Sequence, residues 1–235
     1  QNLTTDVEAF IGAGATVSAT KSVLLDATDD VFLVGVGGAA GLGKSVGFGA
    51  AVANSNIDHT VRAGIDAGAV VDAKGTGAAI GNASGTVSGN GVLINAAADD
   101  TLYLIGAGGG VSANTVGGAA SLVFDTLDSD VTADIVAGAQ VNTGTSGEST
   151  SQSVVLRADH DTDVISVAGA VGGASTVGVG LAADVELIGK RVKATIGDSA
   201  TVHARNDVSV TAGSSESFTN VAAGIGVATG TLGVA

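Results

Sequence analysis

Apolar and small residues alternate with polar ones along residues 192–204, VKATIGDSATVHA, and the same alternation returns at 7–19, 61–73 and 131–143. All four copies read Val-x-Ala-x-Ile-x-x-(Gly/Ser)-Ala-x-Val-x-(Ala/Thr). A period of two predicts a strand with one buried face, and the small residues in mid-motif predict a turn between two short strands. A second strand of the form Val-x-(Leu/Ile/Val)-x-Ala follows each copy, starting at Val23, Val92, Val154 and Val208. Polar runs come next, around 28–30, 99–100, 159–163 and 214–216, and they read as turns. Each unit then closes with a Gly/Ala-rich strand pair such as VFLVGVGGAAGLGKSVGFGAAVA from Val31.

Self-similarity at a fixed period marks a repeat architecture. The motif starts are spaced 54, 70 and 61 residues apart, and almost all of the unevenness sits in one connection, at 74–91 and 144–153. Shortened to the three residues found in the first and last repeats, those insertions leave spacings of 54, 55 and 54. The chain is therefore expected to be one domain, 1–235, of four repeats (1–56, 57–128, 129–189, 190–235) with loops grafted at one corner.

The expected fold class is all-β, a right-handed parallel β-helix (β-solenoid). Strands of about five residues suggest coils of about 18 residues, three to each repeat, giving roughly 12 coils and a rod on the order of 55 Å long. The alternative is an antiparallel β-hairpin repeat stack, since GGAAGLG could turn back tightly. In Val-Gly-Val-Gly one face is bare, so a close approach of another sheet, in the same coil or in a partner molecule, is expected there.

Composition agrees with a layered interior. The chain has 38 Gly, one Tyr, five Phe and no Pro, Cys, Met or Trp, so Val, Ile, Leu and Ala must fill the core. The apolar residues, 45% of the total, are periodic, which argues against a flexible Gly-rich linker. Absence of Cys removes disulfides and zinc–thiolate sites. A formal net charge of -14 repels phosphate backbones and anionic headgroups, so neither nucleic acid nor an anionic membrane is an expected partner. Three uncharged stretches, 101–124, 164–183 and 217–235, are long enough to span a bilayer, but their Gly-rich period of two predicts strands and no membrane insertion. QNLTTDVEAF has neither the basic start nor the apolar run of a signal peptide, so the sequence reads as a mature or excised piece.

The succession V-x-A-x-I-G-x-x-A-x-V-x-A, D-V-x-V-x-A and A-x-G-x-G-V-A-x-G resembles the repeat of giant secreted bacterial filamentous adhesins, the filamentous-haemagglutinin-like and leukotoxin-like exoproteins. Residues 192–235 carry it best, and the second repeat departs most. The resemblance implies an extracellular or cell-surface stalk, exported by a partner porin or a similar route, that acts in attachment or biofilm matrix. Its partners would be a continuation of the same repeat array, further copies of itself, or a host or matrix surface.

The sharpest local chemistry is DHDTD at 159–163. Asp159, Asp161 and Asp163 could offer oxygens to calcium, the one cofactor the sequence suggests. Val164 and Ala170 stand where an EF-hand-like loop needs Gly and a bidentate acid, and a solvated turn explains the run equally. Acidic residues of other repeats are expected about 14 Å away, three coils off, too far to share an ion. His59, His160 and His203 are isolated in sequence and suggest no metal site.

Three functional readings follow. The first is a non-catalytic structural segment of an adhesin or filament. A self-assembling fibre subunit is the second. The third is a polysaccharide-active β-helix enzyme, with Arg157, Lys190, Arg191 and Lys193 as candidate bases. The scarcity of aromatics for stacking sugars, one Tyr and no Trp, counts against the last. The polar insertions are the natural place to display binding residues.

Overall fold

The four copies of the repeat stack in parallel and in register, one copy per coil. In the computed structural model, which describes residues 1–144 and 146–230 and the backbone of 232–234, Val7 pairs with Val61, Val61 with Val131 and Val131 with Val192. The chain is all-β, built on three parallel sheets. The first holds β1 (Asn2–Ile11), β4 (Val46–Ile65), β8 (Val116–Ile135), β11 (Val177–Ile196) and β14 (Leu232–Val234). The second holds β3 (Val23–Gly43), β7 (Ser88–Ser112), β10 (Gln152–Ala174) and β13 (Val208–Ala228). A short third sheet of β2 (Thr16–Ala19), β5 (Val70–Ala73), β9 (Gln140–Val141) and β12 (Thr201–Val202) closes one end. The only antiparallel pairing among the described residues is local, β6 (Ile80–Gly81) against the start of β7.

The parallel solenoid expected from the repeats is present, and the antiparallel hairpin stack is not. The coil size is corrected. Each 54-residue repeat makes one wide coil in place of three small ones, because the expected polar turns are not turns. Residues 28–30, 99–100, 159–163 and 214–216 all lie inside strands of 21 to 25 residues. In DHDTD the period of two persists, with His160 and Thr162 inward and Asp161 and Asp163 outward. Polar composition hid a strand that has a polar interior. The stack is consequently four coils, about 19 Å along its axis, while each 20-residue strand has a contour of about 65 Å across it. The solenoid is a plate, not a 55 Å rod.

The opening motif forms the closed end. Its mid-motif Gly/Ser position falls at Gly14, Gly68, Gly138 and Ser199, all at φ between 58° and 74°. Glycine takes this left-handed conformation without steric cost, which explains its place in three of the four copies. The next residue closes the turn by donating back three positions, as in Ala15 N to Gly12 O at 3.1 Å and Ala69 N to Asp66 O at 3.1 Å. Inside this end, layers of Val, Ile and Ala make a dry core containing Val61, Ile65, Val71, Ile94, Ile135 and Leu156, none of them exposed.

At the opposite end the two long sheets close into a thin blade. The strand pairs predicted from the Gly/Ala-rich segments are β3–β4, β7–β8 and β10–β11, and each turns over two or three residues. The two strands of a pair belong to different sheets, so the pair is an arch and not a hairpin. The inward ladders Gly41–Gly110–Gly172 and Gly47–Gly117–Gly178 come from the two facing sheets. A β-carbon at Gly110 would run into the Gly118 carbonyl, and one at Gly117 into the Gly173 carbonyl. Backbone thus packs directly on backbone, both within a coil and between successive coils, as the bare Gly face suggested.

Both insertions leave from the short third sheet and re-enter the second sheet, at the one corner expected. They also touch each other's coils: Ser149 N donates to Lys74 O at 2.9 Å. Asn90 Nδ2 donates to Gly75 O at 2.9 Å within the first insertion.

Candidate functional site

Between the dry core and the blade the plate has a polar interior. Inward positions of the second sheet carry the ladders Asp29–Ala98–His160 and Val31–Asp100–Thr162, and the facing ladder of the first sheet is His59–Ser129–Lys190. Two successive coils, 57–128 and 129–189, thereby place His59, Asp100 and His160 side by side, with no exposed side-chain surface on any of them.

His160 Nε2 lies 2.7 Å from Asp100 Oδ2, and His59 Nε2 lies 3.4 Å from the same oxygen. The other ring nitrogens are held from behind. His59 Nδ1 is 3.2 Å from Asp29 Oδ2, and His160 Nδ1 is 3.1 Å from Ser129 Oγ. The two rings meet edge to face with centroids 5.3 Å apart. Thr162 Oγ1 is 3.2 Å from His160 Nε2 and accepts from Lys190 Nζ at 2.9 Å. Lys190 also pairs with Glu216 at 2.9 Å, so its charge is balanced outside the cluster. His59 Nε2 and Asp100 Oδ1 are buried without a hydrogen-bond partner. A buried polar atom left unpaired costs about 1–3 kcal/mol, so a cluster with two of them is incompletely explained by its own side chains.

Nearer the blade two further polar pairs form in the interior. Ser55 donates its hydroxyl to Asp125, and Ser166 donates to Asp184. Burial pushes the Asp125 carboxyl above its ordinary range, the Ser55 hydrogen bond pulls it back, and nearby Glu186 pushes it up further.

The calcium candidates lie on the outside of the second sheet and do not converge. Asp159, Asp161 and Asp163 sit at alternate positions of β10, so neighbours are about 6.7 Å apart along the strand. Calcium needs its oxygens at 2.3–2.6 Å. Among the described residues, the one group of three acid or histidine ligand atoms within 4.8 Å of one another is His59, Asp100 and His160. The separation expected between repeats is also corrected: Asp30, Asp99 and Asp161 are direct partners in successive coils, one rung of about 4.8 Å apart. They line an open groove of ≈ 420 Å³ under the 82–87 loop, together with Asp26, Asp159 and Arg157. Burial, and then repulsion from Asp30 and Asp161, raises the Asp99 carboxyl above its usual range. Arg157 pairs with Asp159 across the strand face.

The four candidate bases are dispersed. Arg157 is outside the second sheet, Lys190 points into the interior, and Arg191 and Lys193 lie outside the first sheet, where Arg191 pairs with Asp130 at 2.8 Å. His203 is a surface residue just past β12. The grouping of His59 with His160 was not legible at the assumed coil size. With one repeat per coil, 160 falls one coil plus one facing strand from 59, and the partnership follows.

The blade carries a second candidate feature. Its interior has almost no side chains, so its larger residues point outward on both faces. On the second sheet the ladder Val36–Ile105–Val167–Val221 is 71, 42, 37 and 48% exposed. Val34, Leu42, Val111, Val171 and Ile225 extend that face. Val46, Phe48, Val52, Leu122 and Leu181 form its counterpart on the first sheet.

Among the described residues no helix is long and apolar enough to cross a membrane. Comparison with protein-family models, curated proteins and solved structures gives no match.

Proposed function

We propose that the chain is a structural, non-catalytic solenoid segment of a secreted bacterial adhesin or filament, and that its blade packs face to face against further copies of itself. The repeat's resemblance to filamentous adhesins supports the extracellular setting and a role at the cell surface or in biofilm matrix. The observation that carries the assembly is the outward apolar surface of the blade. Four rungs by about 11 residues make the second-sheet face roughly 19 Å by 36 Å, on the order of 700 Å². That exceeds the usual largest apolar patch of a monomer, about 300–600 Å², and approaches the roughly 800 Å² per partner of a standard interface. A second copy is the occupant both faces fit, because each is an apolar sheet face running the same length along the strands, so one molecule's second sheet can lie on another's first.

Sedimentation of the wild-type chain and of the Ile105→Lys/Val167→Lys double variant tests this reading. The wild type should associate, and the variant, with two charges at the centre of one face, should shift at least tenfold toward monomer while keeping its β-sheet circular dichroism. A monodisperse wild-type monomer at high concentration, or association unchanged in the variant, overturns it.

A further inference from the structure

We propose that His59, Asp100 and His160 form an internal binding site for one divalent transition ion of zinc's class, which staples two successive coils. The case rests on lone pairs. With the His59 Nδ1 hydrogen donated to Asp29, the opposite nitrogen of the neutral ring is an acceptor, and it faces the carboxylate of Asp100 at 3.4 Å. Two acceptors do not face each other in a dry interior unless a cation lies between them. That cation is either a proton or a metal.

The donor set and the surrounding partners match a metal. Two imidazoles and one carboxylate are zinc ligands, and ligating histidines almost always give their other ring nitrogen to a carboxylate, a carbonyl or water. Here Asp29 takes that place behind His59, and the Ser129 hydroxyl takes a similar one behind His160. The three ligand atoms already lie within 4.8 Å of one another, and shifts on the order of an ångström bring them to the spacing set by bonds of about 2.0–2.1 Å. Thr162 Oγ1, beside His160 Nε2, is in place to hold a fourth ligand such as water. Charge also fits. Lys190 is neutralised by Glu216, which leaves the two carboxylates Asp29 and Asp100 to be balanced by a dication. Because the site is fully buried, the ion must enter as the coils close, so binding is coupled to folding.

The full chain, unfolded with chelator and refolded with or without Zn2+ or Co2+ in a millimolar excess of Mg2+ to block the acidic surface, provides the test. One ion per chain should remain after gel filtration, with the visible absorption of four-coordinate Co2+ and a raised Tm. His203→Ala should bind as the wild type does, His59→Gln should lose at least 100-fold in affinity, and Asp29→Ala should lose 10–100-fold. A change at a buried histidine can itself unfold the chain, so the deciding readout comes from the wild type: the imidazole nitrogen resonances of two of the three histidines should shift on loading. Refolding without retained metal, or metal whose binding leaves those resonances unmoved, overturns the site. The first result would leave a proton between His59 and Asp100. Association through the blade is a separate observable, and neither result decides the other.

Discussion

The closed end and the blade of this plate share the same backbone ladders and follow opposite side-chain rules. At the closed end Val, Ile and Ala point inward and make a dry core. In the blade the inward positions are Gly and Ala, the sheets touch backbone to backbone, and Val, Leu and Phe point to solvent. Parallel stacking satisfies the main chain in both regions, so neither needs a core to form its hydrogen bonds. The difference lies in where apolar area is buried. The closed end buries it on folding, and the blade keeps it available for association.

The largest effect that could break this contrast is expected from Gly110→Val. The new β-carbon meets the Gly118 carbonyl, which belongs to the facing sheet and has no room to retreat. Overpacking of this kind costs about 3 kcal/mol. Denaturant unfolding should show that loss, although valine is the better strand former. A neutral result would mean that the two sheets of the blade are not in contact.

A smaller effect is expected in the polar interior that separates the two regions. Burial holds the folded-state carboxyl of Asp125 above its unfolded range, so its ionised form is penalised only in the folded chain. That penalty is fully present above the raised folded value and disappears as pH falls toward the ordinary carboxylate range. Asp125→Asn should therefore raise Tm by a few degrees at neutral pH and lose its advantage on mild acidification. The Ser55 hydroxyl keeps an acceptor in the variant. Thermal unfolding at neutral and mildly acidic pH checks the sign; an advantage that grows as pH falls would contradict it.

How much of this was legible in the sequence depended on one inference. The motif at 7–19 and its three copies specified strand, turn and strand correctly. The Gly/Ser at its centre marks the left-handed turn residue. The corrected period of 54 residues placed the insertions at one corner. What misled was polarity: DHDTD and its equivalents look like turns because strand interiors are usually apolar. Here the inward His160 and Thr162 find partners on other coils, Asp100 and Lys190, which no local window contains. Reading those segments as turns cut the coil to a third of its length. That error separated His59 from His160, and it placed Asp30, Asp99 and Asp161 about three rungs apart when they are adjacent. The blade's bare inner face could be read from Val-Gly-Val-Gly, but the apolar outer surface could be recognised only once the facing sheet was known to lie in the same coil.

The central claim, one 54-residue repeat per coil, is tested most directly by a disulfide. Asp58 and Asp128 are direct register partners on the exposed face of the first sheet, and the chain contains no other cysteine to interfere. In the Asp58→Cys/Asp128→Cys variant the two Cα atoms should lie within the roughly 7 Å that a disulfide spans. Mild oxidation of the folded monomer is predicted to close the bond in nearly every molecule, giving faster migration without reductant. With three coils to a repeat the same residues would be about 14 Å apart, and thiols that stay free in the folded monomer would contradict the account.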